Sequence, residues 1–195
     1  MKVMLLDNNT ERSEHIKNSL LKAGYPRVLC IEMTVGIDLL KLVRQHAPDI
    51  IIIDMESPDR DTLESMRSVD REMPKPIVFF ADHSDYQTTQ AAINAGVSAY
   101  VVDGLPGERI KTVMDVAIAR FQAFHDLRSE LESYKQRLED RKDVDKAKGI
   151  LMQHRQLSEE AAYQLLRKMA MDRNMRIGDA ARNFIAAMTL LGEQS

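Results

Sequence analysis

The stretch I-I-I-I-D-M-E-S-P-D-R-D, residues 50–61, decides the fold class. Four consecutive β-branched residues closed by an acid and a Pro-containing polar segment read as a short strand buried on both faces. Similar runs lie on either side of it: K-V-M-L-L (2–6), R-V-L-C-I (27–31), P-I-V-F-F (76–80) and A-Y-V-V (99–102). Each reads as a short buried strand. Residues around 11–23, 37–46, 61–70 and 87–95 have helical apolar spacing, and Gly24, Pro48, Pro74 and Gly96 supply the breaks. Strict alternation of strand and helix predicts an α/β domain, a parallel sheet covered on both faces and connected by right-handed crossovers.

Beyond this segment the helical pattern continues. Apolar residues recur at Ile110, Val113, Ala117, Phe124, Leu127, Leu131, Tyr134 and Leu138, and neither Pro nor Gly occurs between Gly107 and Gly149. The spacing is that of a heptad seam and predicts one long helix, with Phe124, Leu127, Leu131, Tyr134 and Leu138 forming a coiled-coil dimer interface. The plainer alternative is a connecting helix that packs on its own domain. Three further helical segments are expected at Val144–His154, Ser158–Met171 and Arg176–Leu191. In L-S-E-E-A-A, Ser158 is a good N-cap and Glu159 and Glu160 suit the first turn. Ala147, Ile150 and Leu151, then Ala162, Leu165, Leu166 and Met169, then Ile177, Ala181, Phe184 and Ile185 can close a miniature core. The expected units are therefore 1–120, a coiled-coil helix over 110–142 that continues the last helix of the first unit, and 143–195.

The 195 residues are 44% hydrophobic and 29% charged, a globular balance, and no apolar run approaches the roughly 18 residues of a membrane span. Cys30 has no second cysteine to pair with, and M-K-V-M-L-L-D lacks the apolar core of a signal peptide, so a cytoplasmic protein without a membrane partner is expected. Residues 1–109 carry 12 basic against 17 acidic side chains, whereas residues 143–195 carry 8 against 7. Any nucleic-acid site must then be a local patch and not a bulk property.

Ligands of open parallel sheets collect at the carboxyl ends of the strands, where this chain places Asp7 and Asp54. Two carboxylates at one edge make a candidate magnesium site, although solvated loop charge is the simpler reading of spacing alone. His15, His46, His83, His125 and His154 have no zinc-ligand spacing, and no Gly-rich phosphate loop is present. An aspartate-nucleophile phosphatase is excluded because Asn9 stands where its second Asp must act as acid and base. In the last segment, Lys146, Lys148, Arg155, Arg167, Lys168, Arg173, Arg176 and Arg182 are candidate phosphate partners. Tyr163, Asn174, Gln153 and His154 offer stacking or polar contacts to unstacked bases. Without other information, a solubilising cationic face and a core tyrosine would account for the same residues.

L-L-D-N-N (5–9), I-I-I-D-M-E-S-P-D-R-D (51–61) and A-G-V-S-A-Y-V-V-D (95–103) resemble the response-regulator receiver domain over about residues 1–120. The resemblance implies a flavodoxin-like five-stranded parallel sheet, a phosphoryl-accepting role for Asp54, and an acidic pocket of Asp7, Asn8 and Asp54 in which magnesium is possible. Asn8 replaces the family's second acid, Ala81 its Ser or Thr, and Asp103 its Lys. These departures lead us to expect a pocket short of metal-binding charge and of a compensating cation, and an Asp54 that is a poor phosphorylation switch. D-V-D-K-A-K-G-I-L-M (143–152), L-S-E-E-A-A-Y-Q-L-L-R-K-M-A-M (157–171) and N-M-R-I-G-D-A-A (174–181) resemble the ANTAR domain of transcription antiterminators. The order of parts is similar to that of nitrate-responsive antiterminators and, more remotely, amidase regulators. It implies a non-enzymatic homodimer that binds RNA stem-loops in nascent transcripts, with input from a ligand-sensing regulatory protein or a histidine kinase and no required cofactor. A receiver-coupled DNA-binding regulator, with a helix-turn-helix in the last segment, and a protein-docking scaffold are the alternatives.

Overall fold

Strands alternate with helices through the first hundred residues: β1 (Lys2–Asp7), α1 (Thr10–Lys22), β2 (Arg27–Glu32), α2 (Leu39–His46), β3 (Ile50–Asp54), α3 (Arg60–Glu72), β4 (Ile77–Ala81), α4 (Tyr86–Asn94) and β5 (Ala99–Val102). A computed structural model describes residues 1–34, 36–102 and 109–192. It divides the chain into two compact units, residues 1–125 and 126–195. All strand pairs are parallel, in the order β2-β1-β3-β4-β5, which is the doubly wound arrangement the alternation predicts.

Side chains on a strand point alternately to its two faces, and this rule sorts the core. Met4, Leu6, Ile51, Ile53, Ile77 and Phe79 meet Leu39, Val43, Met66, Val69 and Ala92 of α2, α3 and α4. Val3, Leu5, Ile50, Ile52, Val78 and Phe80 meet Ile16 and Leu20 of α1 on the opposite face, together with Ile110, Met114 and Ala117. The three central strands are buried almost without exception, but β2 and β5 are only partly so. The expectation that all five strands are buried fails at these two because each lies at a sheet edge. Cys30, on β2, is accordingly exposed.

The acid excess of this unit has a local cause. Helices α1, α2, α3 and α4 are capped by Asn9, Asp38, Asp59 and Asp85, whose side chains accept backbone N–H groups of the first turn. The hydrogen bond from Thr62 N–H holds the Asp59 carboxyl below the usual carboxylate range, and that from Thr88 does the same for Asp85. Gly96 ends α4 with φ +95°, where a Cβ would collide with the Asp70 side chain.

The long helix α5 runs from Ile110 to Arg155 without a break. Its start packs on the sheet, and Val144, Ala147 and Leu151 near its end enter the core of the second unit. The separately expected segment Val144–His154 is thus the end of this same helix. Phe124, Leu127, Leu131, Tyr134 and Leu138 lie between these stretches, each more than half exposed. Gln156, with φ +52°, turns the chain out of the helix.

Helices α6 (Glu159–Asp172) and α7 (Ile177–Gly192) complete the second unit. Ser158 caps α6 by accepting from Ala161 N–H, as its sequence position predicts. Ala162, Leu166 and Ala181 join Val144, Ala147 and Leu151 in a fully enclosed core, with Leu165, Ile177, Phe184 and Ile185 at its margin. Small residues let the helices approach closely. Gly178 faces the Asp140 side chain, whose Cβ would lie 2.8 Å from a Cβ added at Gly178. Gly178→Ala should therefore lower the thermal midpoint of the second unit, on the order of 1–3 kcal/mol of overpacking. Calorimetry of the full chain checks this, with the first unit's transition expected to stay in place.

Candidate functional site

Parallel pairing sets Asp7 directly beside Asp54 at the carboxyl edge of β1 and β3. Both follow the alternation of the α1 face, and both are almost fully buried. Asn8, which completes the expected acidic pocket, is exposed. Asp7 Oδ1 accepts the Asn9 N–H at 2.7 Å, and the Asn9 side chain in turn accepts the N–H groups of Glu11 and Arg12. The first turn of α1 is thereby fastened to the end of β1.

This fastening places Arg12 over the pocket. Its Nε donates to Asp54 Oδ2 at 2.9 Å, and its Nη2 donates to Asp54 Oδ1. Its Nη1 donates to both oxygens of Asp82, at 2.9 and 3.0 Å. One planar guanidinium therefore serves two carboxylates with all three nitrogens, a use that suits Arg and not Lys. Chiefly through the Asp54 hydrogen bond, the arrangement drives the Arg12 pKa further up. The expectation of a pocket short of a compensating cation is thus overturned for the described residues. Asp103, on which that expectation partly rested, lies outside the described residues. Ala81 is buried at the end of β4 and brings no hydroxyl to the edge.

Arg12 and Asp82 escaped the sequence reading. A signal for Arg12 was present, because a cation in the first turn of a helix opposes the helix dipole and implies a nearby acid. Which acid it meets depends on the packing of α1 against β3 and β4.

The pocket leaves one polar atom unsatisfied: Asp7 Oδ2 is buried without a hydrogen-bond partner. Burial, helped by the neighbouring Asp54 charge, pushes the Asp7 carboxyl above its ordinary value. Two carboxylates in a receiver pocket are where the family commonly binds magnesium, a cation that requires several oxygen ligands in near-octahedral array. Here both Asp54 oxygens are held by Arg12 and Asp7 Oδ1 by a backbone N–H. Of the described Asp7 and Asp54 oxygens, only Asp7 Oδ2 has no hydrogen-bond partner, and a divalent cation at Asp54 would meet the positive charge of Arg12, so the residues described do not fit the metal.

In the second unit the eight candidate cations divide into two groups. Lys148 lies between Asp145 at 2.8 Å and Glu159 at 2.7 Å, joining α5 to the start of α6. Arg176 pairs with Asp140 at 2.8 Å, and Arg182 with Asp140, Asp143 and Asp179 at 2.9, 3.1 and 2.5 Å. These pairs fasten α7 to α5. Hydrogen bonds from Gln136 and then Arg182 hold the Asp140 carboxyl below its usual range. Lys146, Arg155, Arg167, Lys168 and Arg173 are exposed and engage no acid among the described residues. Gln153 and His154 are exposed, and Tyr163 is 39% exposed. Asn174 is exposed in the left-handed turn between α6 and α7, with φ +50°, a conformation Asn tolerates well.

The raised Asp7 pKa gives a directional test. Ionising this acid costs stability in the folded state, a cost that is absent below the unfolded carboxylate range near pH ~4 and complete above the folded pKa. Asp7→Asn should raise the thermal midpoint at pH ~7 by roughly a few degrees, and the gain should vanish as pH falls to ~4. Circular-dichroism melts across that range check it.

Two family models match the chain. The response regulator receiver domain matches residues 3–115, and the ANTAR domain matches residues 132–185, beginning within the long helix. The transcriptional regulatory protein PdtaR of Mycobacterium tuberculosis is 30% identical over 138 residues, covering 71% of this chain and 67% of that protein. The nitrate regulatory protein of Klebsiella oxytoca is 45% identical over 64 residues, which is 33% of this chain and 16% of that one. In structure, the signal receiver domain of a modulated diguanylate cyclase from Desulfovibrio desulfuricans G20 superposes with a TM-score of 0.53 at 19% identity. It covers 63% of this chain and 96% of that one, a likeness of fold alone. No helix among the described residues is long and apolar enough to cross a membrane. A parallel sheet with paired acids at its carboxyl edge, joined by one long helix to a small α-helical module, therefore belongs to the response regulators that combine a receiver domain with an ANTAR domain.

Proposed function

We propose that this protein prevents transcription termination by binding hairpins in nascent RNA through its C-terminal module, residues 143–195. The observation that carries the reading is the group of five exposed cations without acidic partners among the described residues, Lys146, Arg155, Arg167, Lys168 and Arg173, on a module that matches the ANTAR domain. Lys148, Arg176 and Arg182 support the same reading indirectly by holding the helices together through ion pairs. Exposed Tyr163 and Asn174 are the residues proposed to meet unstacked loop bases. The names of the relatives, one a transcriptional and one a nitrate regulatory protein, support a transcriptional role in nitrate or nitrite assimilation.

The receiver, residues 1–120, is the proposed input module, and the helix over 110–142 the proposed dimerisation element. Phe124, Leu127, Leu131, Tyr134 and Leu138 support dimerisation because they repeat at heptad spacing on an otherwise largely polar middle stretch of the helix and are exposed in the single chain. Input through a ligand-sensing regulatory protein suits a pocket whose Asp54 is already paired with Arg12 better than input through a histidine kinase does.

Two outcomes follow. Each large seam residue buried should contribute about 1.5–3 kcal/mol before ordering costs, so Leu131→Asp should turn a dimer into a monomer in analytical ultracentrifugation. A native monomer at tens of micromolar, or a variant that still dimerises, removes this assignment.

In mobility-shift assays the full chain should prefer a stem-loop to a loop-scrambled control and to matched duplex DNA, and two tandem hairpins to one. Substituting any one of the five open cations should reduce the log-log salt slope by about 0.7–0.9, and Tyr163→Ala should relax loop preference with a smaller change in slope. Equal affinity for all three nucleic acids, or a preference for duplex DNA, would put a DNA-binding regulator ahead. No nucleic-acid binding at physiological salt would favour a docking scaffold.

A further inference from the structure

We propose that Arg12 is the resident cation of this receiver: a side chain of the protein itself occupies the charge-neutralising role at Asp54 and closes the acidic pocket to magnesium and to phosphoryl-like anions. Three observations carry the assignment. Both oxygens of the buried Asp54 accept from Arg12, so a divalent cation or an attack on phosphorus would have to displace, or share the carboxylate with, a guanidinium already paired to it. The same guanidinium holds Asp82, the residue directly after β4, so the loop leaving β4 is tied to the start of α1 through one side chain. The acid beside Asp54 in the sheet register, Asp7, is buried with one oxygen unpartnered and the other held by the Asn9 N–H, so Arg12 is the cation that the described residues bring to this pair.

The chemistry differs in kind from a metal site. A guanidinium is permanently charged, planar and covalently attached, so it neither exchanges with solvent nor depends on free cation concentration. Its position is set by backbone capping, because Asn9 holds the Arg12 N–H at 3.2 Å while its own N–H is held by Asp7. Removing Arg12 leaves Asp54 as a buried unpaired charge, which is costly unless another cation replaces the one lost. A divalent metal, refused by the native pocket, then becomes the natural substitute. The inference deepens the reading of the receiver as an input module that works without phosphorylation, and it does not depend on RNA binding.

The test compares the full-length protein with Arg12→Met and, as a second variant of retained polarity, Arg12→Gln. Probes are magnesium chloride alone and magnesium with beryllofluoride, at matched ionic strength, read by titration calorimetry and thermal melts. The native chain should show no saturable magnesium heat and no change in midpoint up to about 10 mM. At least one variant should melt lower than the native chain without magnesium, recover with magnesium, and bind it at least about tenfold more tightly. Saturable magnesium or beryllofluoride binding by the native chain, which requires no variant to fold, would overturn the proposal. Variants that fold and remain indifferent to magnesium would also overturn it. Hairpin binding measured on the same native sample separates the two readings: its absence beside magnesium indifference strikes the RNA proposal and leaves the Arg12 assignment standing.

Discussion

Burial of the central strands constrains everything else in the receiver. Ile50, Ile51, Ile52 and Ile53 have no solvent exposure, and neither do Val3, Met4, Leu5 and Leu6 on the adjacent strand. With both faces covered, every successive side chain is committed to one layer or the other, and a slip of one residue would exchange the two cores. That commitment continues to the last residue of each strand. It delivers Asp7 and Asp54 side by side to the α1 layer, where water is scarce and charge must be paired. The acidic pocket is thus a consequence of where the apolar pattern ends.

Arg12 meets the electrostatic demand so created at Asp54. Two of the acids at this edge share its single guanidinium, and the third, Asp7, is left with an unpartnered oxygen and a raised pKa. The same economy appears in the second unit, where Arg182 lies among Asp140, Asp143 and Asp179 and Arg176 adds a further pair to Asp140. In both places arginines join helices or loops distant in sequence. The cations left without an acid among the described residues of the second unit are consequently fewer than its composition suggests, which distinguishes them as candidates for phosphate.

The long helix takes on different tasks along its length without a break. Ile110, Met114 and Ala117 belong to the sheet core and Val144, Ala147 and Leu151 to the helical core, while Phe124 to Leu138 present an apolar seam. A helix devoid of Pro and Gly before Gly149 carries such a change of role because its hydrogen bonds are internal and indifferent to which face is buried. The ANTAR family match, starting at residue 132, overlaps this helix for the same reason: its last turns are structurally the first helix of the module.

Local signals in the chain suffice for the elements and their class. Alternating apolar runs and helical spacing placed all five strands and the first four helices close to their observed bounds, because local periodicity and capping residues such as Ser158 act within a few residues. The sequence also places Asp7 and Asp54 at the carboxyl ends of the first and third strands. The tertiary structure alone decided that β2 and β5 are edges, since strand order is not local. Likewise it decided that residues 144–154 extend α5, and that Lys148, Arg176 and Arg182 are held by acids while Lys146, Arg155, Arg167, Lys168 and Arg173 meet none among the described residues. The pairing of Arg12 with residues 42 and 70 positions away lay beyond any periodic signal. Charge partners separated by that much chain are chosen by packing, and packing is settled only when every element has found its layer.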